Sequence, residues 1–209
     1  VQAVAEGGMR RLYSRTGEDI SHAFPDVIEA MDFHGSADGE LIVRREGEVA
    51  PFGELQKRLN RKTVGKGLLA SHPAGLRLYD LLLWDGRDLR AEPLEARRRV
   101  LEAVDFGARI DISPLLDFAT WEDLAALRAE PPAAVIEGVM VKRRDSAYVA
   151  GRPRGRWFKW KRDPMVVDAV LIYAQRGHGK RSGFHSDFTF GLWDGGELVP
   201  VGKAYFGFT

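Results

Sequence analysis

The sequence predicts a mixed α+β fold, mainly antiparallel, followed by a stretch of strands alone that amounts to part of a small β-barrel. Three observations predict it. Helical signals and alternating apolar runs interleave over residues 1–163 without the regular strand–helix–strand repeat of a doubly wound parallel sheet. Turn signals separate closely spaced strands, as antiparallel pairing requires, with Glu6-Gly-Gly8 and Asp194-Gly-Gly196 the clearest. Beyond Asp163-Pro164 the helical signals stop and only strand-like runs remain. The predicted domains are therefore 1–163 and 164–209.

Taken in order, Val1 to Val4 and Arg10 to Ser14 read as strands joined by the Glu6-Gly-Gly8 turn. Phe24-Pro25 opens a short helix to Ala30, with Pro25 suited to its first turn. Asp38-Gly39 reads as a turn leading into a strand from Glu40 to Arg44. Pro51 to Leu59 reads as helix, and Leu76 to Leu83 as a strongly apolar strand closed by Asp85-Gly86. Pro93 to Val104 is helical by the spacing of Leu94, Leu101 and Val104. Thr120-Trp-Glu-Asp123 is a capping box for a helix to Arg128, and Pro131-Pro132 stops anything continuing beyond it. After Asp163-Pro164, strands are expected at Asp168 to Tyr173, Ser186 to Trp193 and Glu197 to Lys203, consistent with an incomplete OB fold.

The 209 residues are 44% hydrophobic and 29% charged, enough to bury a good core in one or two domains. The absence of cysteine excludes disulfides, thiol nucleophiles and cysteine-ligated zinc. Five scattered histidines, His178 between two glycines among them, offer no ligand spacing for zinc. No apolar run approaches the roughly 18–20 residues a membrane span needs. A net charge of +1 conceals one basic stripe: nine cations against the single acid Asp145 between Lys142 and Arg162, interleaved with Tyr148, Trp157, Phe158 and Trp160. Phosphate-backbone binding needs such a stripe.

Two runs carry the chemistry. Glu137-Gly-Val-Met-Val-Lys-Arg alternates as a strand entering from a turn. In Trp157-Phe-Lys-Trp-Lys-Arg162 the period of two puts Trp157, Lys159 and Lys161 on one face. Two lysines beside a strand that begins on a glutamate suit a polyphosphate and its metal, since lysine is a compact charge and a carboxylate suits a hard divalent cation. An amphipathic hairpin with a solvated lysine face is the alternative.

These runs resemble motifs IV and V of the covalent nucleotidyltransferases, the superfamily of ATP-dependent DNA ligases and mRNA capping enzymes. Ser14-Arg-Thr-Gly17 resembles the segment after the nucleophile strand, Asp38-Gly-Glu-Leu-Ile-Val43 motif III, and Tyr79-Asp-Leu-Leu-Leu-Trp-Asp85 motif IIIa. Arg176-Gly-His-Gly-Lys-Arg181 and Val201-Gly-Lys-Ala-Tyr-Phe-Gly207 resemble bacterial ATP-dependent DNA ligases in particular. The resemblance spans essentially the whole chain. It implies a nucleotidyltransferase (ATP-grasp-like ligase) domain followed by a partial OB-fold barrel.

It also implies roles. Tyr79 would stack on adenine, although a core tyrosine fits the same strand, and Glu40 would hold the ribose. Glu137 would bind Mg²⁺, Lys159 and Lys161 the α-phosphate of ATP, with Lys142 a further phosphate contact. Arg15 would meet either the nucleotide phosphate or the 5′-phosphate of a nick. Arg152, Arg154 and Arg156 form a basic loop suited to the DNA backbone, and Arg176, Lys180 and Arg181 a second basic turn meeting DNA. The implied activity is sealing of nicked double-stranded DNA through lysyl-AMP and DNA-adenylate, by a monomer in the bacterial cytoplasm at the nucleoid.

One departure stands out. The family's nucleophile lies in a Lys-x-Asp-Gly-x-Arg run, and these 209 residues contain none. The sequence thus reads as part of a longer ligase, with that lysine expected upstream of Val1 and motif VI beyond Thr209. The chain alone is expected not to adenylylate itself. Two other readings remain open: a non-catalytic DNA-binding scaffold, and a related RNA ligase or capping-type enzyme.

Overall fold

A computed structural model describes residues 1–59, 61–151, 153–164, 166–179 and 182–205. The chain divides into two compact units, Val1–Arg162 and Asp163–Thr209.

The first unit is built on a seven-stranded sheet of order β2-β1-β3-β5-β6, with β4 pairing on β3 and β7 on β5. β1 (Gln2–Glu6) and β2 (Met9–Tyr13) form the hairpin expected from the glycine pair, with Gly7 and Gly8 at φ 57° and 80°. Positive φ at both central residues gives a two-residue turn whose twist matches the flanking strands, and glycine adopts it freely. β3 (Gly35–Arg45) pairs with β1 and with β5 (Ala74–Trp84), both antiparallel.

β3 corrects one expectation. Asp38-Gly39 is not a turn before the strand but lies inside it, at a register shift against β5. Gly39 sits where a Cβ would come 2.9 Å from the Arg77 carbonyl oxygen, so the dipeptide marks close approach of two strands. Short β4 (Glu48–Val49), β6 (Arg87–Asp88) and β7 (Ile110–Ile112) were not legible in the sequence, being two or three residues long. β7 runs parallel to β5, within an otherwise antiparallel sheet.

Helices cover this sheet. α1 (Pro25–Ala30) begins at its proline as expected. α2 (Phe52–Gln56) is shorter than the predicted helix, and α3 (Lys66–Ser71) was not anticipated. α4 (Leu94–Glu102) buries Leu94, Arg97 and Leu101, one turn or two apart on a single face, against β5. α5 (Trp121–Ala129) opens on the expected capping box, with Thr120 Oγ1 accepting from Asp123 N–H at 3.1 Å. The core gathers Leu12, Phe24, Met31, Leu76, Leu78 and Leu101, all with no exposed surface. β5 reads as a near-continuous apolar run because helices cover it while strands flank it.

A separate two-stranded sheet, β8 (Gly138–Lys142) and β9 (Trp157–Lys161), completes this unit. The second unit is a three-stranded antiparallel meander of β10 (Val170–Arg176), β11 (His185–Asp194) and β12 (Glu197–Tyr205). Gly195 and Gly196, at φ 55° and 92°, make its second turn.

Candidate functional site

The β8–β9 register sets the site. Gly138 faces Lys161, Met140 faces Lys159 and Lys142 faces Trp157. Opposed residues share a face, so Met140, Lys142, Trp157, Lys159 and Lys161 line one side of the hairpin. Phe158 and Trp160 line the other with Val139 and Val141, and Arg128 of α5 caps Trp160 at 5.0 Å from its ring centroid. Gly138, at φ 145°, lets the strand begin: a Cβ there would lie 2.3 Å from the Trp160 carbonyl oxygen.

At one end of this face an aromatic corner holds a cation. The Tyr79 and Trp157 rings meet edge-on with centroids 6.1 Å apart. Lys142 Nζ lies 4.5 Å from the Tyr79 centroid and 4.0 Å from that of Trp157. Burial lowers the Lys142 ammonium to about 8, against the pull of Asp80 in the other direction. Burial, then the Asp38 charge, pushes the Tyr79 hydroxyl well above its ordinary value.

Asp38 is the group around which this corner is organised. Its carboxylate accepts from Gln2 Nε2 at 3.2 Å and from the Tyr148 hydroxyl at 3.0 Å. Burial outweighs these donors and raises its pKa. Tyr148 in turn is pushed up to about 12, by burial first and then by Asp38. Glu40 is exposed on β3, close enough to add to the upward shift of Tyr79.

At the other end of the hairpin, Glu137 Oε2 and Lys161 Nζ pair at 3.0 Å, both largely exposed. The hydrogen bond from Lys161 and then its charge hold the Glu137 carboxyl below the usual range.

The corner is clamped from behind. Asp80, adjacent to Tyr79, is gripped by Arg97 of α4 in two bonds of 2.7 and 2.8 Å. Arg97 Nη1 also donates to the carbonyls of Glu92 at 2.6 Å and Ser146 at 3.0 Å. The N–H groups of Leu94 and Glu95 bond the carbonyls of Ser146 and Arg144. The loop leaving Lys142 is therefore fastened to α4 and, through Tyr148, to β3.

Of the residues singled out in the sequence, Tyr79, Lys142, Lys159, Lys161, Glu137 and Glu40 thus lie on β5, on the hairpin or on the adjoining strand. Arg15 is exposed on the turn closed by Gly17 N–H on Ser14 O, and among the described residues no bond joins it to that group. Arg154 is exposed, whereas Arg156 is half-buried and donates to Ala147 O at 3.0 Å. Arg152, Lys180 and Arg181 lie outside the described residues. Arg176, exposed at the end of β10, belongs to the second unit.

Sequence reasoning missed Asp38, Tyr148, Trp157 and the Asp80–Arg97 pair. Trp157 had a signal, since the alternation placed it on the lysine face. Tyr148 had none, because its partner lies 110 residues away.

A family model described as the ATP dependent DNA ligase domain matches residues 1–161. The chain belongs to that family. This ligase-family chain is 34% identical over 226 residues to a probable DNA ligase of Koribacter versatilis, covering 95% of itself and 39% of that protein. It is 36% identical over 209 residues to a DNA ligase of Methanoculleus marisnigri, covering 97% of itself and 37% of the relative. It thus spans under two fifths of the length of either. Among solved structures, the ligase domain of M. tuberculosis LigD matches all of the chain at 28% identity and TM-score 0.61, over 64% of that domain. A mycobacterial DNA ligase D complexed with ATP and MES matches at 28% identity and TM-score 0.63, again over all of the chain and 64% of that structure. The ligase-family fold is thus one of mixed helices and antiparallel sheets. Among the described residues, no helix is long and apolar enough to cross a membrane.

Proposed function

We propose that this chain forms the nucleotide-binding core of an ATP-dependent DNA ligase that seals nicks in duplex DNA. The carrying observation is the single hairpin face that bears Lys142, Lys159 and Lys161 and abuts Tyr79. Tyr79 offers a flat ring to the adenine. Glu40 serves the ribose, and Lys159 and Lys161 hold the α-phosphate, where charge builds as pyrophosphate departs. Lys142 adds a third cation whose position is fixed by two aromatic faces.

Glu137 fits Mg²⁺ as an exposed, ionised oxygen donor at the mouth of the hairpin. Among the described residues no group of three or more Asp, Glu or His side chains converges, so phosphate oxygens and water would complete the coordination. When bound, the ion neutralises phosphate charge. Arg15 meets the nucleotide phosphate or the 5′-phosphate of the nick, and Arg152, Arg154 and Arg156 contact the DNA backbone. Arg176, Lys180 and Arg181 do so from the second unit, whose meander supports reading 164–209 as part of an OB barrel. The working protein is a monomer acting at the nucleoid.

The test is ATP binding to the chain by equilibrium dialysis with Mg²⁺, beside label transfer from α-labelled ATP. Bound ATP without covalent label is expected, with affinity falling about a hundredfold in Lys159→Ala/Lys161→Ala. Unchanged affinity in that variant sinks the proposal. Absence of ATP binding together with retained DNA binding favours the scaffold reading.

A further inference from the structure

Among the described residues, Leu115, Leu116, Phe118, Trp121 and Leu127 are five of the ten large hydrophobic side chains that the first unit leaves exposed. They fall within a single short segment, the approach to α5 and the helix itself. Scattered exposed leucines need no explanation, but a concentrated apolar surface marks an interaction site. Trp121 is 60% exposed, and its ring meets that of Phe118 at 6.0 Å.

An open groove of about 680 Å³ runs beside Phe118. Phe118, Leu127 and two alanines line it together with Asp117, Asp123 and Glu130. None of the hairpin's lysine-face residues lines it. Every charged side chain lining it is a carboxylate, and Asp123 is held ionised by the bonds of its capping box. The one cation on α5, Arg128, is turned to the hairpin instead: Nη1 donates to Lys161 O at 2.6 Å and the guanidinium caps Trp160.

We propose that this groove docks a basic amphipathic polypeptide segment, with apolar side chains against Phe118 and Leu127 and against Trp121 beside them, and lysines or arginines on the lining carboxylates. Charge complementarity selects that occupant. The three lining carboxylates repel the phosphates of nucleic acid and of anionic lipid, both of which the basic loop on the hairpin would attract. An amphipathic helix suits a groove lined by both apolar and acidic side chains, and an exposed aromatic pair makes an anchor of the type that dominates such interfaces. This docking is independent of the ligase reading.

The test titrates a labelled leucine–lysine amphipathic helix, roughly four turns long, into the full chain and follows anisotropy. The matching leucine–glutamate helix is the control. Binding of the lysine peptide alone is expected, weakened roughly thirtyfold in Phe118→Ser/Trp121→Ala. Asp117→Lys/Glu130→Lys, at exposed positions, is expected to weaken it and flatten its salt dependence. Equal binding of the two peptides overturns the proposal, as does unchanged affinity in both variants. Retention of the chain on phosphatidylserine vesicles, lost in Phe118→Ser/Trp121→Ala, overturns it in favour of a membrane surface.

Discussion

Arg97 and Asp80 form a two-pronged ion pair with neither side chain exposed to solvent. The pair joins the strand of Tyr79 to α4, and Arg97 Nη1 reaches the loop that leaves Lys142 at the Ser146 carbonyl. Removing one partner strands a buried charge, which costs about 3–5 kcal/mol. Arg97→Met should therefore lower the thermal midpoint by on the order of 10 °C. Asp80→Leu combined with Arg97→Met should recover part of that loss in the same melting experiment. A double variant no more stable than the single one would contradict this account.

Gly138 is expected to be far less replaceable than Gly53. A methyl group at 138 would meet the Trp160 carbonyl at 2.3 Å on a backbone that side chains rarely adopt, whereas one at 53 meets nothing within 4 Å. Gly138→Ala should disrupt the β8–β9 pairing, cost about 1–3 kcal/mol in backbone strain alone, and abolish ATP binding. Gly53→Ala, inside α2, should be neutral or stabilise by up to about 1 kcal/mol. Denaturant melts and near-ultraviolet dichroism of both variants check the contrast.

Lys142 gives the site a pH dependence whose sign can be worked out. Burial lowers its folded-state value to about 8. Between there and the ordinary lysine value, the unfolded chain holds more protons than the folded one. The contribution of this site to stability therefore rises with pH across that window. ATP affinity should move the opposite way, falling above about pH 8 as the ammonium is lost. Lys142→Arg should keep ATP affinity level through that range, and Lys142→Met should remove the slope in stability. Dialysis and denaturant melts at a series of pH values read both.

Glu137 and Lys161 should separate stability from activity. Their pair is exposed, and screened surface pairs contribute little. Glu137→Gln is expected to melt as the parent chain does. In the complete ligase, it should slow adenylate formation at least a hundredfold, read by transfer of α-labelled AMP.

Tyr148→Phe tests the aspartate at the centre of the corner. The Asp38 carboxylate would lose one of its two side-chain donors while remaining largely buried, costing about 1–3 kcal/mol. Its pKa should rise further, visible by NMR titration of the Asp38 carboxyl carbon.

What could be read in the sequence follows the range of the interactions involved. The lysine face was legible because a strand's alternation is local, and the register confirms that Lys159 and Lys161 share a side. The Gly7-Gly8 and Thr120–Asp123 signals worked for the same reason. Asp38-Gly39 misled, because a dipeptide common in turns here serves close approach between two long strands, which only the partner strand reveals. Arg97 carried no local signal, because its partner Asp80 lies on a different element. Tyr148 and Asp38 meet only once β3 and the hairpin loop are assembled.

The parallel seating of β7 on β5 bears on how the chain reaches this fold. Leu76 pairs with Ile110, so the contact closes only after the intervening β6 turn and α4 are in place. Such a crossover carries a loop-closure cost that no hairpin shares. The β1–β2 and β10–β12 hairpins connect neighbours in sequence and can form early. Assembly of the first unit accordingly waits on connections that pass through other elements, as the β3–β5 pairing also does, while the second unit condenses from contacts already at hand.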